Sequence, residues 1–375
     1  MKKNNILKND GVQTLIASFM CIIVGMIVGY IALLVINPSG ANEAIFTVIK
    51  NFFYYPTPAA QLKYFGNTIV KTAPLLMCSL SVLFAYKVGL FNIGAAGQFT
   101  VGIGACLYAA LALHLPWWAC LLASIAAGAL LGAISGILKA VCNVNEVISC
   151  IMLNWIGLYC VNMMLTPVKE STSPYTLNLR TENPDALIPS LGLGELFSKN
   201  MYVTIAIPIA IVVAVLIWIL LEKTKLGYEL KATGNNKNAA KYAGMKENQN
   251  IILTMAIAGG LAGMGAGLLY LTGYEQWSCS HSSLPAMGFN GIAAAFLGGL
   301  NPIGAIFSSY FIQHITAGGA YVDKTMYCAQ VSDFISAIII YLCGFVLFVK
   351  VAMNKSIAKR EEKKAAANAN EGGKK

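Results

Sequence analysis

Four stretches of this chain run for about 20 residues or more without a charged side chain, at 12–36, 117–138, 201–221 and 251–274. A helix of about that length crosses the hydrocarbon core of a bilayer. Charged residues make up 11% of the chain, against about 25% in an average soluble domain. The low charge excludes a soluble globular fold, and the high apolar content excludes a disordered chain.

Further apolar stretches bring the predicted number of spans to ten. The first run is longer than the apolar region of a secretory signal peptide, so we expect it to be a retained helix. The fold class is therefore an all-α polytopic membrane protein with about ten transmembrane helices. The six less regular spans are predicted at about 66–86, 90–113, 145–166, 285–299, 302–318 and 331–350, and 285–299 and 302–318 could be short or re-entrant.

The positions of the basic residues predict the orientation. With the N-terminus inside, 19 of the 26 Lys and Arg residues fall on the inner side, as the positive-inside rule requires. Both termini are then cytoplasmic. The formal net charge of +10 reports this topology, and no nucleic-acid partner is expected.

This topology divides the chain into segments of different composition. We expect a cytoplasmic N-terminus at 1–11, a transmembrane permease domain at 12–352 and a solvated, disordered cytoplasmic tail at 353–375. Within the domain, the proline-containing extracytoplasmic loop at 166–200 is long enough to suggest a docking surface for an external partner. A bond between Cys279 and Cys328, in two predicted outer loops, is a further hypothesis.

Glycines spaced by four residues predict tight helix packing. Gly128, Gly132 and Gly136 share one helix face, and Gly259, Gly263 and Gly267 share another. Without side chains, such faces let two backbones approach closely. This pattern indicates a fold and carries no information about a substrate.

Polar residues are scarce inside the predicted spans, and the richest group begins the span at 145–166. Asn145, Glu146 and Asn154 lie there with Ser149. Polar groups at membrane depth suggest a function. A packing or capping role at the cytoplasmic boundary is an equally good interpretation.

Two glycine-rich segments, 89–98 and 288–293, each place a phenylalanine beside an asparagine. Glycines at membrane depth permit broken helices that line a cavity, and a ring beside an amide suits a planar ligand. Packing explains the glycines equally well. The sequence has no GxxxxGK[ST] phosphate loop and no HExxH pair, so we expect no catalytic, cofactor or metal-binding residue in this chain.

The predicted inner loop at 222–250 contains a short capped helix. Asn235 or Asn236 can cap a helix that runs to about Tyr242, and Gly244 can end it. Such a helix projecting from a polytopic protein suggests a mechanical contact with a cytoplasmic partner.

The inner loop resembles a known family. The stretch Gly-Tyr-Glu-Leu-Lys-Ala-Thr-Gly, followed by Ala-Ala-Lys-Tyr-Ala-Gly-Met, is similar to the coupling-helix segment of ABC importer permeases of the branched-chain amino acid and simple-sugar superfamily. The stretches Gly-Leu-Phe-Asn-Ile-Gly-Ala-Ala-Gly-Gln, Asn-Glu-Val-Ile-Ser, Ile-Met-Leu-Asn-Trp-Ile and Gly-Phe-Asn-Gly-Ile-Ala resemble nucleoside-importer permeases, and the larger of two paralogous subunits. The similarity runs from about 64 to 348.

The resemblance implies a translocation subunit in the cell membrane of a prokaryote. Its partners would be a second permease, a cytoplasmic ATPase that binds ATP and Mg²⁺, and an extracytoplasmic lipoprotein binding protein. The family pattern has Glu where Ala96 stands and Asp where Asn290 stands. Because two acidic positions of that pattern are neutral in this chain, a simple sugar and a ribityl-bearing vitamin stay open as alternatives to nucleosides, which remain the first expectation for the substrate.

The motifs and the resemblance together predict the functional residues. The alternative function from a different class of transporter is that of an ion-coupled carrier, although only Glu146 offers an ionisable site near the membrane interior. A membrane-embedded enzyme has no supporting motif. We expect the substrate path at Phe91, Asn92, Gln98, Asn145, Glu146, Asn154, Phe289 and Asn290, and contact with the ATPase at Glu229, Gly234, Asn235, Ala239, Ala240, Tyr242 and Gly244.

Overall fold

The computed structural model describes residues 10–356 except 324, 328–333, 335–336, 339–340, 343 and 346–347. Within this part of the chain the regular structure is helical, and extended backbone pairs only in two isolated bridges. The helices are α1 (Asp10–Ile36), α2 (Ala41–Lys50), α3 (Pro58–Lys87), α4 (Ala95–Leu111), α5 (Trp117–Ala140), α6 (Glu146–Leu165), α7 (Leu179–Glu182), α8 (Leu193–Leu196), α9 (Ala206–Lys223), α10 (Lys225–Asn235), α11 (Lys237–Tyr242), α12 (Glu247–Tyr270), α13 (Ala286–Leu297) and α14 (Pro302–Gly319).

Six of these helices are long and apolar enough to cross a membrane. They are α1, α3, α5, α6, α9 and α12, and they confirm a polytopic α-helical protein. The predicted spans at 90–113 and 285–299 contain shorter apolar helices, α4 and α13. The tenth predicted span, the tail and the partner proposed for Cys279 lie wholly or largely outside the described residues.

Helices α3 and α12 form the centre of the bundle. Most of their side chains are buried, whereas α1, α5, α6 and α9 expose most of theirs. The exposed side chains on the outer helices are apolar, among them Ile23, Leu130, Met152 and Val212. An apolar exterior around a buried centre is the arrangement that a lipid solvent favours.

Helix α12 packs against α5 through glycines. A Cβ atom added to Gly128 would lie 2.9 Å from the Cα atom of Gly263, and one added to Gly132 would overlap the carbonyl oxygen of Met255. The Ser124 hydroxyl donates a hydrogen bond to the carbonyl oxygen of Gly263 across the same seam. The predicted glycine packing is therefore confirmed.

The two ends of the bundle differ in structure. We call the end that carries α10 and α11 the α11 end, and the end that carries α2 and the segments 166–205 and 271–285 the α2 end. At the α2 end the two segments bond to each other: Thr176 N–H donates to the carbonyl oxygen of Trp277 over 2.8 Å, and Ile188 N–H donates to the carbonyl oxygen of Leu271 over 2.9 Å. The long loop is thus a folded cover.

Helix α2 ends at Lys50, and a 3₁₀ turn follows it. Val48 is buried against the bundle, while the rings of Phe46 and Phe53 are exposed. Exposed aromatic rings on an amphipathic helix are typical of a membrane interface.

Adding a methyl group at Gly132 should destabilise the protein, because the carbonyl oxygen of Met255 occupies that space. We expect Gly132→Ala to cost about 1–3 kcal/mol through overpacking. Gly260→Ala is the matched control, since its Cβ would meet Ala129 and Ile125 at an ordinary 3.5 Å and alanine favours a helix by up to about 1 kcal/mol. Thermal unfolding in detergent measures both. Equal unfolding midpoints for the two variants would contradict the close packing of α5 on α12 at Gly132.

Candidate functional site

The structure brings the two glycine-rich segments into contact. The segment at 89–98 forms the turn before α4 and its first residues, and Gly288 lies in the first turn of α13. A Cβ atom on Gly288 would lie 2.8 Å from the Cβ of Ala96, and one on Gly291 would lie 2.7 Å from the Cβ of Cys78. The start of α13 therefore packs directly on the start of α4 and on α3.

Asn92 and Gln98 form a reciprocal pair of amides beneath this contact. Asn92 Nδ2 donates to Gln98 Oε1 over 2.8 Å, and Gln98 Nε2 donates to Asn92 Oδ1 over 3.1 Å. Asn92 also donates to Ser81 Oγ and accepts from Gly94 N–H. Both amides are fully buried, so in this conformation they hold the turn before α4 in place.

Asn154 of α6 caps the N-terminus of α4. Its Oδ1 accepts from Gly97 N–H over 2.9 Å, and its Nδ2 donates to the carbonyl oxygen of Ile93 over 3.1 Å. The first N–H groups of a helix have no partner within it, and Gly94 at the N-cap position supplies no side chain. A residue of another helix therefore bonds a free N–H group at the start of α4, and the polar side of α6 faces protein.

Asn145 and Glu146 lie apart from this cluster, at the start of α6. Asn145 Oδ1 accepts from Val147 N–H over 2.8 Å as the N-cap, and a carboxylate oxygen of Glu146 lies 2.9 Å from Lys139 Nζ. Both contacts agree with a packing or capping role at the cytoplasmic boundary, which was one of the two interpretations open from the sequence.

Phe91, Phe289 and Asn290 lie at the edge of the cluster. Phe91 and Asn290 are partly exposed, and the Phe289 side chain is 38% exposed. Within the described residues the Asn290 amide has no hydrogen-bond partner. Of the eight predicted path residues, these three are the ones with side-chain surface to offer a ligand near the α4–α13 contact.

Helix α11 has the form that the sequence predicts. Asn236, one of the two expected caps, accepts from Ala239 N–H over 3.0 Å, and Gly244 follows the helix with a positive φ of 79°. Tyr242 is 94% exposed and Ala239 is exposed, whereas Ala240 is buried. Helix α11 therefore presents the Tyr242 ring and the Ala239 methyl group away from the bundle.

The backbone of α10 touches the turn that leads to the amide pair. A Cβ atom on Gly89, which has a positive φ of 79°, would lie 3.0 Å from Gly234 Cα. Asn250 Nδ2 of α12 donates to Thr233 Oγ1 over 2.8 Å. The α10–α11 pair is thus fixed both to the α3–α4 turn and to α12.

A cavity of about 790 Å³ lies beside α11. It is lined by residues of α10, of α12 and of the turn between α11 and α12, including Tyr228, Glu229, Gly244 and Lys246. Glu229 is within 3.6 Å of Lys225 on the same helix. Of the residues predicted to contact the ATPase, Glu229 and Gly244 line this cavity, whereas Asn235, Ala239 and Tyr242 lie on the exposed surface.

A group of tyrosines at the α2 end is not among the residues predicted from the sequence. Tyr64, Tyr274 and Tyr321 surround a cavity of about 210 Å³ in which Lys71 pairs with Glu275. These residues come from α3, from the 271–285 segment and from the turn after α14, and no local spacing connects them. The single sequence signal was Lys71, a charged residue inside an apolar span.

Comparison with known proteins gives the family. A sequence model of the family "Branched-chain amino acid transport system / permease component" matches residues 64–344. The guanosine ABC transporter permease protein NupP of Bacillus subtilis is 31% identical over 348 residues, which is 91% of this chain and 96% of NupP. The nucleoside ABC transporter permease protein NupB of Lactococcus lactis is 30% identical over 93% of this chain and 96% of NupB.

A third relative has a different printed substrate. The glucose ABC transporter permease protein TsgB13 of Haloferax volcanii is 30% identical over 69% of this chain and 70% of its own length. The two bacteria above each have a second, more distant relative of this chain, named NupQ and NupC. The family match and the two full-length relatives, on a bundle of membrane-length apolar helices, place the chain in the ABC transporter permease family of the branched-chain amino acid type.

Proposed function

We propose that this chain is the translocation subunit of an ATP-driven importer for nucleosides. The observation that carries the proposal is full-length similarity to two permeases whose names give guanosine and nucleosides as substrates. The match to a glucose permease covers less of the chain, so a simple sugar is the second candidate. A ribityl-bearing vitamin is a third, suggested only by Ala96 and Asn290 at positions where the family pattern is acidic.

The proposed complex has four kinds of subunit. Paired permeases in the two bacteria with nucleoside relatives support a second, paralogous permease beside this chain. A cytoplasmic ATPase would bind ATP and Mg²⁺, and an extracytoplasmic lipoprotein would deliver the substrate. This chain itself would supply the path through the bacterial plasma membrane and bind no cofactor.

The orientation is part of the proposal. Six of the basic residues lie in 222–250, at the α11 end, and the excess of Lys and Arg on one side marks the cytoplasm. The α11 end would then face the ATPase, and the α2 end would face the binding protein. In this orientation the folded cover of 166–205 and 271–285 is the docking surface.

The proposed coupling runs from α11 to the amide pair. Movement of α11 by the ATPase would carry α10, whose Gly234 lies against Gly89 in the turn before Asn92. The turn positions the start of α4, on which α13 packs. We therefore propose that the eight path residues act in two ways: Phe91, Phe289 and Asn290 meet the substrate, and Asn92, Gln98, Asn145, Glu146 and Asn154 hold the elements that move.

Uptake by the reconstituted complex tests the proposed function. We expect proteoliposomes that contain both permeases, the ATPase and the binding protein to accumulate radiolabelled guanosine or adenosine only when ATP is supplied. A protonophore should leave the rate unchanged. Uptake that survives ATP depletion and stops with the protonophore would favour an ion-coupled carrier, and accumulation of glucose instead of nucleosides would favour the sugar candidate.

Acidic substitutions on α11 test the coupling surface. Ala239→Asp and Tyr242→Asp each place an unpaired charge on the surface proposed to be buried against the ATPase, and an unpaired buried charge costs several kcal/mol. We expect uptake to fall at least tenfold while the binding protein still captures its ligand. Asn143→Asp, which adds the same charge to the exposed α5–α6 turn at the same end, is the control. Unchanged uptake by both α11 variants would remove the coupling assignment.

Two substitutions separate the two proposed roles of the path residues. Asn92→Ala leaves the Gln98 amide without its partner in a buried site, which costs about 1–3 kcal/mol, so the unfolding temperature and uptake should both fall. Asn290→Ala removes an amide that has no bonded partner among the described residues, so uptake should change at an unaltered unfolding temperature. If Asn290→Ala unfolds as early as Asn92→Ala, or transports like wild type, the division of roles is wrong.

A further inference from the structure

The cavity that Tyr64, Tyr274 and Tyr321 surround at the α2 end has the features of a binding site. It lies between α3, α14 and the 271–285 segment, and its volume is about 210 Å³. We call it the tyrosine cavity. The residues that give it its chemistry are Tyr64, Asn67, Lys71, Tyr274, Gln313 and Tyr321.

The rings around the cavity are held by other aromatic rings. Tyr64 stacks on Tyr55 with centroids 3.9 Å apart and an interplanar angle of 5°, and Tyr274 meets Tyr202 edge-on at 5.0 Å. Tyr321 stacks on Tyr54 at 5.8 Å. The lining rings therefore lose little freedom when a ligand arrives, which lowers the entropic cost of binding.

Two amides in the cavity have hydrogen-bonding capacity to spare. Gln313 is 5% exposed, and its amide has no hydrogen-bond partner among the residues that the structure describes. Asn67 accepts from Asn200 Nδ2 over 2.8 Å, and its own Nδ2 has no partner in the same part of the chain. The cavity leaves both amides accessible, so a ligand that enters it can replace water as their hydrogen-bond partner.

The charged groups in the cavity neutralise each other. Lys71 Nζ lies 2.7 Å from a carboxylate oxygen of Glu275 and 5.2 Å from the centre of the Tyr274 ring. Burial raises the pKa of the phenols of Tyr274 and Tyr321, so both remain hydroxyl donors at neutral pH. The lining is thus polar without a net charge, which favours a neutral ligand over an ionic one.

Planar rings with amide-like edges fit this lining. Asn and Gln amides bond to the donor and acceptor edge of a purine base, and an aromatic side chain stabilises a base by stacking on its face. The volume is below the roughly 300 Å³ at which pockets bury a whole drug-sized ligand. The cavity therefore has room for a ring and leaves an attached sugar outside.

We propose that the tyrosine cavity is a receiving site that takes the base of a nucleoside from the binding protein before the molecule enters the path. This inference rests on the proposed function for the identity of the ligand. Tyr64, Tyr274 and Tyr321 contact the ring, while Gln313 and Asn67 bond to its edge. The small contact makes binding weak, as transit requires, because a tightly held ligand does not leave.

Protection of an engineered cysteine tests the site. Thr316 lines the cavity, and Thr316→Cys changes its size little. The complex of both permeases and the ATPase, in nanodiscs, is treated with a thiol reagent, and labelling is measured by mass spectrometry at this position. We expect adenosine and free adenine to slow the labelling at least threefold and ribose to leave it unchanged. Ser171→Cys, on the exposed surface of the α2 end, should label at one rate throughout.

A second substitution identifies the bonded amide. Gln313→Leu in the Thr316→Cys background retains most of the volume and removes the unpartnered amide, so protection by adenosine should be lost while the unfolding temperature stays the same or rises. Tyr321→Phe retains the ring and should retain most of the protection. Full protection of the Gln313→Leu variant would overturn the assignment of the amide.

The outcomes separate this site from the proposed function. If the complex accumulates nucleosides but neither adenosine nor adenine slows labelling at Thr316→Cys, the receiving site is wrong and the function stands. If adenine protects and the complex accumulates no nucleoside, the site stands as a ring-binding cavity and the function falls. Equal protection by ribose and adenine would overturn recognition of the ring.

Discussion

The close approach of α5 and α12 is the contact on which the rest of the bundle depends. In a bilayer, apolar side chains gain nothing by leaving lipid for protein, so helices associate through van der Waals packing and polar contacts. Gly128, Gly132 and Gly263 remove the side chains that would keep the two backbones apart. With this seam closed, α12 also packs against α3 and α4 and anchors α10 through Asn250. One seam thus positions both the candidate path and the coupling element.

The polar residues of the bundle serve backbone groups that helices leave unsatisfied. The break between α3 and α4 leaves N–H and C=O groups without helical partners inside the protein, where most of the turn is buried away from water. Asn92 and Asn154 supply those bonds from within the protein. Asn154 holds the turn from α6, Gly234 touches Gly89 from α10, and Ser81 of α3 accepts a bond from Asn92, so the turn is held by three helices at once. A displacement of α10 therefore strains a bonded turn, which gives the proposed coupling a physical basis.

Local patterns in the sequence predicted the elements whose causes are local. Apolar runs located the long helices, glycine spacing located the α5–α12 seam, and Asn236 with Gly244 located α11 because caps act within a few residues. Asn154 was identified as a functional candidate from its polarity, although its partner on α4 could not be deduced. Helix α4 is shorter than its apolar run because residues 90–94 form the turn that Asn92 holds, and α13 is shorter because Gly298 ends it and Gly299 follows with a positive φ of 66°. The tyrosine cavity escaped prediction altogether, since its residues meet only through tertiary packing.

The contact between Ala96 and Gly288 bears on substrate choice. The resemblance to nucleoside-importer permeases implies an acidic residue at position 96, and in this chain the Ala96 methyl group lies against the first turn of α13. A carboxylate there would face the N-terminal end of a helix, where negative charge is favoured by about 0.3–1 kcal/mol.

In this chain Ala96 is completely buried and Asn290 is neutral, so neither position adds a charge at the α4–α13 contact. Together with the neutralised Lys71–Glu275 pair, these positions give both proposed ligand-contact regions a lining suited to an uncharged molecule, and nucleosides and sugars both satisfy that condition. A nucleoside differs from a sugar in carrying the planar ring of a base. The tyrosines at the α2 end, rather than the α4–α13 contact, are therefore the place where this permease would recognise a base.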